Sequence, residues 1–292
     1  MQTSSPLLIA LLAALGLAVA GMFAMVLSER RHGRRSVLPA TVWFLLVYLP
    51  LLAQFAWPGA VWSPVSSMLD AEPLDFGGAV PVFLSLSGAA LAVEHVFRRQ
   101  TVHAAIEWTV IPRARMLMVV VIVTVGWALW LMSVEHVLND LSLTILVNTT
   151  LMSVCAVLGG SLPAIPARRI PLDPATLCAS SSAGLAAATA SAAFLEPGTA
   201  AIVGAVAGLL AGWLLRGGRR TDAKSLGRIV CVSGVAGVGA GLVAVGLLER
   251  SRGLLFTGQP GLLIAEVLLG LASLAYAYIV TMLLAQAYKR MR

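Results

Sequence analysis

Apolar runs of 17 to 26 residues alternate along the chain with short polar stretches, and arginine marks many of those stretches. An apolar run of about 20 residues, rising about 1.5 Å per residue as an α-helix, spans a hydrocarbon core of about 30 Å. The pattern predicts nine transmembrane helices, over 7–27, 37–57, 78–97, 116–134, 141–162, 175–195, 199–215, 229–248 and 262–287. No polar linker is long enough to separate two units, so 1–292 reads as one all-α, multi-pass membrane domain. The longest connection, 58–77, carries Pro58, Pro64 and Pro73 and is expected to be a structured outer loop.

Composition agrees with the pattern. Hydrophobic residues make up 59% of the chain and charged residues 11%, whereas a soluble domain carries about 25% charge. The net charge of +7 and a pI near 10 would suit a nucleic-acid binder by sign alone. The positions of the charges argue against it. All but Arg250 and Arg252 of the 20 basic residues fall in every second connection or in the C-terminal tail. Basic loops stay in the cytoplasm. The N-terminus is then expected outside and the C-terminus inside, with Asp70, Glu72, Asp75, Glu135, Asp140, Glu196 and Glu249 on the outer side. Nothing basic precedes the first apolar run, which argues against a cleaved signal peptide.

Few residues offer chemistry. Cys155, Cys178 and Cys231 lie inside helices without metal-ligand spacing and read as small buried hydrophobes. Gly237, Gly239 and Gly241 imitate part of a nucleotide fingerprint, but they stand inside an apolar helix with no strand before them. Their reading, like that of Gly204, Gly208 and Gly212 at four-residue spacing, is close helix packing. The latter three could also face a neighbouring subunit. His32, His95, His103 and His136 lie in connections or at helix ends. Glu94 and Glu266 are the carboxylates set into helices, and such groups are candidate sites by default. Both stand near an interface, which favours a solvated or paired structural role. Trp57 and Trp62 flank the outer end of the second helix, Trp127 and Trp130 sit mid-way along the fourth, and Asn148, Ser180 and Ser233 are polar within helices. Motifs of soluble enzymes are absent, and nothing calls for a metal or a cofactor.

Several segments, in order, resemble the ammonium transporter family (Amt/Rh/MEP). Ser28–Glu29–Arg30 stands at the family's Ala-Glu-Arg turn, and Asp75, Phe76, Gly77 and Gly78 at the Asp-Phe-Ala-Gly-Gly motif that opens its fifth helix. The segment GWALW resembles Gly-Trp-Phe-Gly-Phe, LVNTTLMSV resembles the Val-Asn-Thr segment, and VCVSGVAGVGAGLVAVGL resembles the His-Gly-Val-Gly-Gly segment of the tenth helix. The resemblance implies an inverted-repeat bundle that begins at the family's third helix and lacks its first two.

The resemblance also implies site residues. Trp57 and Asp75 match the outer substrate-recruitment positions. Leu15 and Trp130 fall at the two stacked phenylalanines of the outer gate, and Phe83 and Ser233 at the paired histidines of the pore. A phenylalanine accepts no proton, and a serine does not titrate near neutral pH. The implied activity is passage of ammonium, ammonia or another small neutral solute through a hydrophobic pore, with the lipid bilayer as surroundings. The implied assembly is a homotrimer, or a mixed trimer with a full-length relative. A non-conducting subunit or sensor that pairs with such a relative remains open at this stage, as does a degenerate remnant.

Overall fold

The computed structural model describes residues 6–28, 37–56, 64, 66–97, 108, 110–135, 137–162, 173–216 and 225–290. Trp57, Trp62, His32, His103 and His136 lie outside them. Among the described residues nine long helical segments follow one another, and each predicted run falls on one. They are α1 (Pro6–Ser28), α2 (Val37–Trp43, a π turn Phe44–Tyr48, then Leu49–Ala56) and α3 (a π turn Val80–Leu84, then Ser85–Val96). Next come α4 (Arg113–Val134), α5 (Asp140–Ser161), α6 (Pro174–Ser191), α7 (Pro197–Arg216), α8 (Leu226–Leu248) and α9 (Gly261–Arg290). Six of these helices are long and apolar enough to cross a membrane by length and composition alone.

The prolines explain both π turns. Pro50 has no N–H to give Leu46 four residues before it, and a carbonyl left over inside a bundle needs a donor. The hydroxyl of Tyr276, from α9, donates to Leu46 O at 2.6 Å. Pro81 opens the second π turn, where Ser85 N bonds back to Val80 O and the Ser85 hydroxyl donates to Pro81 O.

At the outer end of the sixth predicted helix, the helix stops at Ser191. A turn follows, and Pro197 opens α7. Asn148 of α5 secures the turn, its Nδ2 donating to Ala192 O at 2.8 Å and Leu195 O at 2.7 Å.

Small residues set the packing of α5 to α8. Helices α5 and α7 share the most extensive contact of the fold, and α6 crosses both before meeting α8. A Cβ on Gly208 would strike the Ala156 backbone, one on Gly204 the Met152 backbone, and one on Gly212 the Gly160 backbone. That glycine face is therefore consumed within the chain against α5, and none of it remains to receive a neighbouring subunit. Gly237 and Gly241 pack on α6 as expected, but Gly239 faces open space.

Helix α9 leans across α2, α3 and α8 through a buried stripe of Leu262, Glu266, Leu269, Ser273, Ala277 and Thr281. Its polar members hold the bundle together. Thr281 accepts from Trp43 Nε1 at 2.9 Å, and Ser273 from Gln54 at 3.5 Å. At the opposite end Glu94 accepts from the Ser225 hydroxyl at 2.6 Å, which gives it the paired role expected of it.

Candidate functional site

The strap Leu74–Gly78 positions the centre of the bundle. Asp75 ends it with a helix cap, its Oδ1 accepting from Ala79 N at 2.7 Å and its Oδ2 from Val80 N at 2.9 Å. Four backbone N–H groups at a helix start have no partner within the helix, so a carboxylate there satisfies two of them and complements the helix dipole. Burial pushes the Asp75 carboxyl up to about 6, against the pull of the N–H groups of Val80, Ala79 and Gly78. Gly78 takes φ +73°, a conformation that favours glycine. The strap also bonds to α6, Gly77 N donating to Thr189 O at 2.7 Å. Gly77 must be small, since a Cβ would meet Leu131 and Thr189.

From that cap α3 carries Phe83 inward by about one turn. Its ring meets Trp127 of α4 edge-on, with centroids 5.3 Å apart, and Trp127 meets Trp130 at 5.2 Å. The indole of Trp127 is fixed by donating to Thr189 Oγ1 at 2.8 Å. Edge-on rings at such spacing are a favourable aromatic arrangement. Three half-buried rings thus form one contiguous group at the junction of α3, α4 and α6. Leu15, on α1, is half-buried against the same core cluster.

Beneath Phe83, α3 and α8 cross at Gly234, where a Cβ would strike the Ser87 hydroxyl and come within 2.7 Å of Phe83 O. The Ser87 hydroxyl spans Phe83 O at 2.7 Å and Val230 O at 3.2 Å. Ser233 is buried, and its hydroxyl turns back to Val230 O at 3.1 Å. None of Phe83, Ser87, Trp127, Trp130, Thr189 or Ser233 titrates near neutral pH. The centre can therefore exclude and hydrogen-bond, but it cannot relay a proton through side chains of its own.

The structure brings together Phe83 and Trp130 through Trp127. Ser233 joins them through the carbonyl of Val230 that it shares with Ser87. Trp127 and Thr189 were not singled out as site residues from the sequence, although the three-residue spacing of Trp127 and Trp130 places both on one helix face. Asp75 faces a pocket of about 190 Å³, lined on its other sides by Gln54 and by apolar residues that include Leu51, Phe76, Phe194 and Leu269.

A sequence model of the Ammonium Transporter Family matches residues 2–291. The chain belongs to the ammonium transporter family. The ammonium transporter Amt1 of Archaeoglobus fulgidus is 27% identical over 271 residues, which cover 89% of this chain and 65% of Amt1. A Mep2 mutant from Candida albicans superposes with a TM-score of 0.72 at 20% identity, covering 93% of this chain and 67% of that one. A protein described as a Sensor Amt Protein gives 0.69 at 20% identity, covering 94% and 70%. This ammonium transporter family member thus shares the fold of those structures and spans about two thirds of the length of these relatives. It is an all-α membrane protein.

Proposed function

We propose that the protein passes ammonia, or another small neutral solute of similar size, through the route closed by Phe83, Trp127 and Trp130, and that it carries no ammonium ion. The ring contact between Phe83 and Trp127 supports this reading most directly, because it puts apolar surface where ion passage would require a charged or titratable partner. A bare cation at the bilayer centre costs about 2.5–3.5 kcal/mol on insertion scales. An apolar constriction can exclude ions by dewetting while leaving a path for a neutral molecule. Ser233 and Ser87 offer that molecule oxygen atoms just below the rings.

In this reading the whole chain acts as a single transmembrane unit, with the N-terminus outside, the C-terminus in the cytoplasm, and no catalytic turnover. Trp57 and Asp75 form the outer recruitment position, and Leu15 flanks the ring gate. The assembly is a homotrimer, or a mixed trimer with a longer family member. Family membership and the distribution of basic residues support these assignments.

Purified protein in liposomes separates the outcomes. An ammonium gradient should produce no current, while ammonia entry, followed by an internal pH dye, should exceed that of empty liposomes. Replacing Trp127 by Ala should raise the ammonia rate. An ammonium current from the wild-type protein would refute the proposal.

A further inference from the structure

Helix α6 ends at Ser191, and its last carbonyls need donors from outside the helix. The strap Leu74–Gly78 supplies two of them. Phe76 N donates to Ala190 O at 3.3 Å, and Gly77 N to Thr189 O at 2.7 Å. Thr189 is fully buried, and its two oxygen atoms serve different elements. The carbonyl holds the strap. The hydroxyl gives its proton to Leu185 O at 2.7 Å, one turn back in α6, which leaves its lone pairs to accept from Trp127 Nε1 at 2.8 Å. The acceptor cannot swing away from the indole without breaking the Leu185 bond and changing rotamer.

The same strap places the other ring of the contact. Leu74 N donates to Glu266 Oε1 on α9 at 2.6 Å, which fixes the start of the strap. Asp75 then caps α3 through Ala79 N and Val80 N, and Phe83 follows one turn later. At Gly77 the strap lies so close to α6 that a Cβ would come within 3.0 Å of the Thr189 methyl group and 3.1 Å of its carbonyl oxygen. Two routes thus run from one strap to one ring contact. The first passes through Asp75 and α3 to Phe83, and the second through Thr189 to Trp127. The two rings stand 5.3 Å apart, centroid to centroid.

We propose that Thr189 is the positioning residue of the ring gate, locking Trp127 against Phe83 and linking the closed gate to the strap. It acts through the indole. A change that loosens the indole bond loosens the strap, and the converse holds by reciprocity of coupling. The consequence for passage rests on the conduction reading above, whereas the linkage between ring and strap does not.

Hydrogen exchange followed by mass spectrometry on the full-length protein tests the linkage. Thr189→Val keeps the methyl group that faces Gly77 and removes the acceptor. Trp127→Phe keeps a ring and removes the donor. Each should speed exchange of the strap amides several-fold, and the double variant should exchange no faster than either single one, because both remove the same bond. Thr189→Ser keeps the acceptor and should exchange as the wild type does. Ultraviolet resonance Raman difference spectra against Trp127→Phe isolate the Trp127 indole, whose N–H should read as hydrogen-bonded in wild type and Thr189→Ser and as free in Thr189→Val. In liposomes Thr189→Val should raise ammonia entry several-fold, and Thr189→Ser should stay at the wild-type rate. Unchanged strap exchange in Trp127→Phe, or equal acceleration in Thr189→Ser and Thr189→Val, would overturn the proposal. Exchange and Raman results as expected, with no ammonia entry in wild type or Thr189→Val, would sink the conduction reading and leave Thr189 in its positioning role.

Discussion

Helices α4 and α6 cross the same bundle under opposite rules. The most apolar of the six candidate spans is α4, and only 17% of its apolar window is buried; over its whole length it buries Met116, Thr124, Ala128 and Leu131. Every residue of α6 except Cys178 and Ser182 is buried, yet α6 is too weakly apolar to count among the six. In water the apolar side of a helix turns inward. In lipid no hydrophobic gain distinguishes protein from acyl chain, so large apolar residues face outward and small or weakly polar ones make the contacts. Between these two helices, burial follows Ala, Gly and Ser rather than hydropathy, whereas α8 is both strongly apolar and largely buried.

The strongest way to break that comparison is to enlarge one glycine on each side of it. At Gly208 a new side chain meets the backbone of Ala156, while at Gly126 on α4 it meets open space. Overpacking a tight core costs about 1–3 kcal/mol, and more where backbone has to move. Gly208→Val should abolish a monodisperse peak in fluorescence-detected size exclusion, and Gly126→Val should leave it intact. If both variants behaved alike, lipid exposure of α4 would be the wrong explanation.

Each apolar run overlaps a helix, because hydropathy over about 20 residues is a strong signal, and six of those helices are long and apolar enough to cross a membrane. Their neighbours were harder to see. The four-residue spacing of Gly204, Gly208 and Gly212 announced a contact face, but spacing does not say whether that face meets α5 or another subunit. Pro50 and Pro81 stand openly in the sequence, while the π turns they favour depend on donors from elsewhere, such as the Tyr276 hydroxyl.

At the candidate site, Asp75 was legible through its motif and Phe83 and Trp130 through their register. Trp127 was recognised as a mid-helix ring, but its place between the other two depends on Thr189, 62 residues further along. Glu266 was read as solvated or paired, and the bond from Leu74 N is such a pairing, but its partner was not legible because the strap arrives from 192 residues earlier.

Between α6 and α7 stands the turn at 192–195, a polar device inside an apolar frame. Asn148→Ala would strip donors from both Ala192 O and Leu195 O. A buried group left without its hydrogen bond costs about 1–3 kcal/mol in soluble proteins, and values in membrane bundles run lower. A loss of about 2 kcal/mol is therefore expected, read as a lower midpoint in a mixed-micelle unfolding titration. Thr150→Ala on the exposed side of α5 removes only a hydroxyl bonded to Leu146 O in its own helix, and should change the midpoint little. An unchanged midpoint for Asn148→Ala would mean that the outer turn is held by chain connectivity alone.

The smallest effect lies where α4 touches α5. Thr124 Oγ1 and Ser153 Oγ are 2.8 Å apart, both buried. This pair is the polar counterpart, on α4, of the glycine contacts that hold α5 to α7. Interhelical hydrogen bonds in a membrane bundle average about 0.6 kcal/mol, because the separated helices also find partners. A double-mutant cycle of Thr124→Val and Ser153→Ala isolates the bond from the packing that each substitution alters. The coupling should come out near 0.6 kcal/mol in favour of the pair. Thr124→Val keeps the side-chain volume, so most of its single-mutant cost should reside in that coupling. A coupling of about 2 kcal/mol would make α4 a helix held by polar bonds, and its lipid-facing composition would then say little about how it is attached. A coupling near zero would leave the ring contact of Trp127 and the close fit at Gly77 as the anchors of α4, and would tie its attachment to the gate itself.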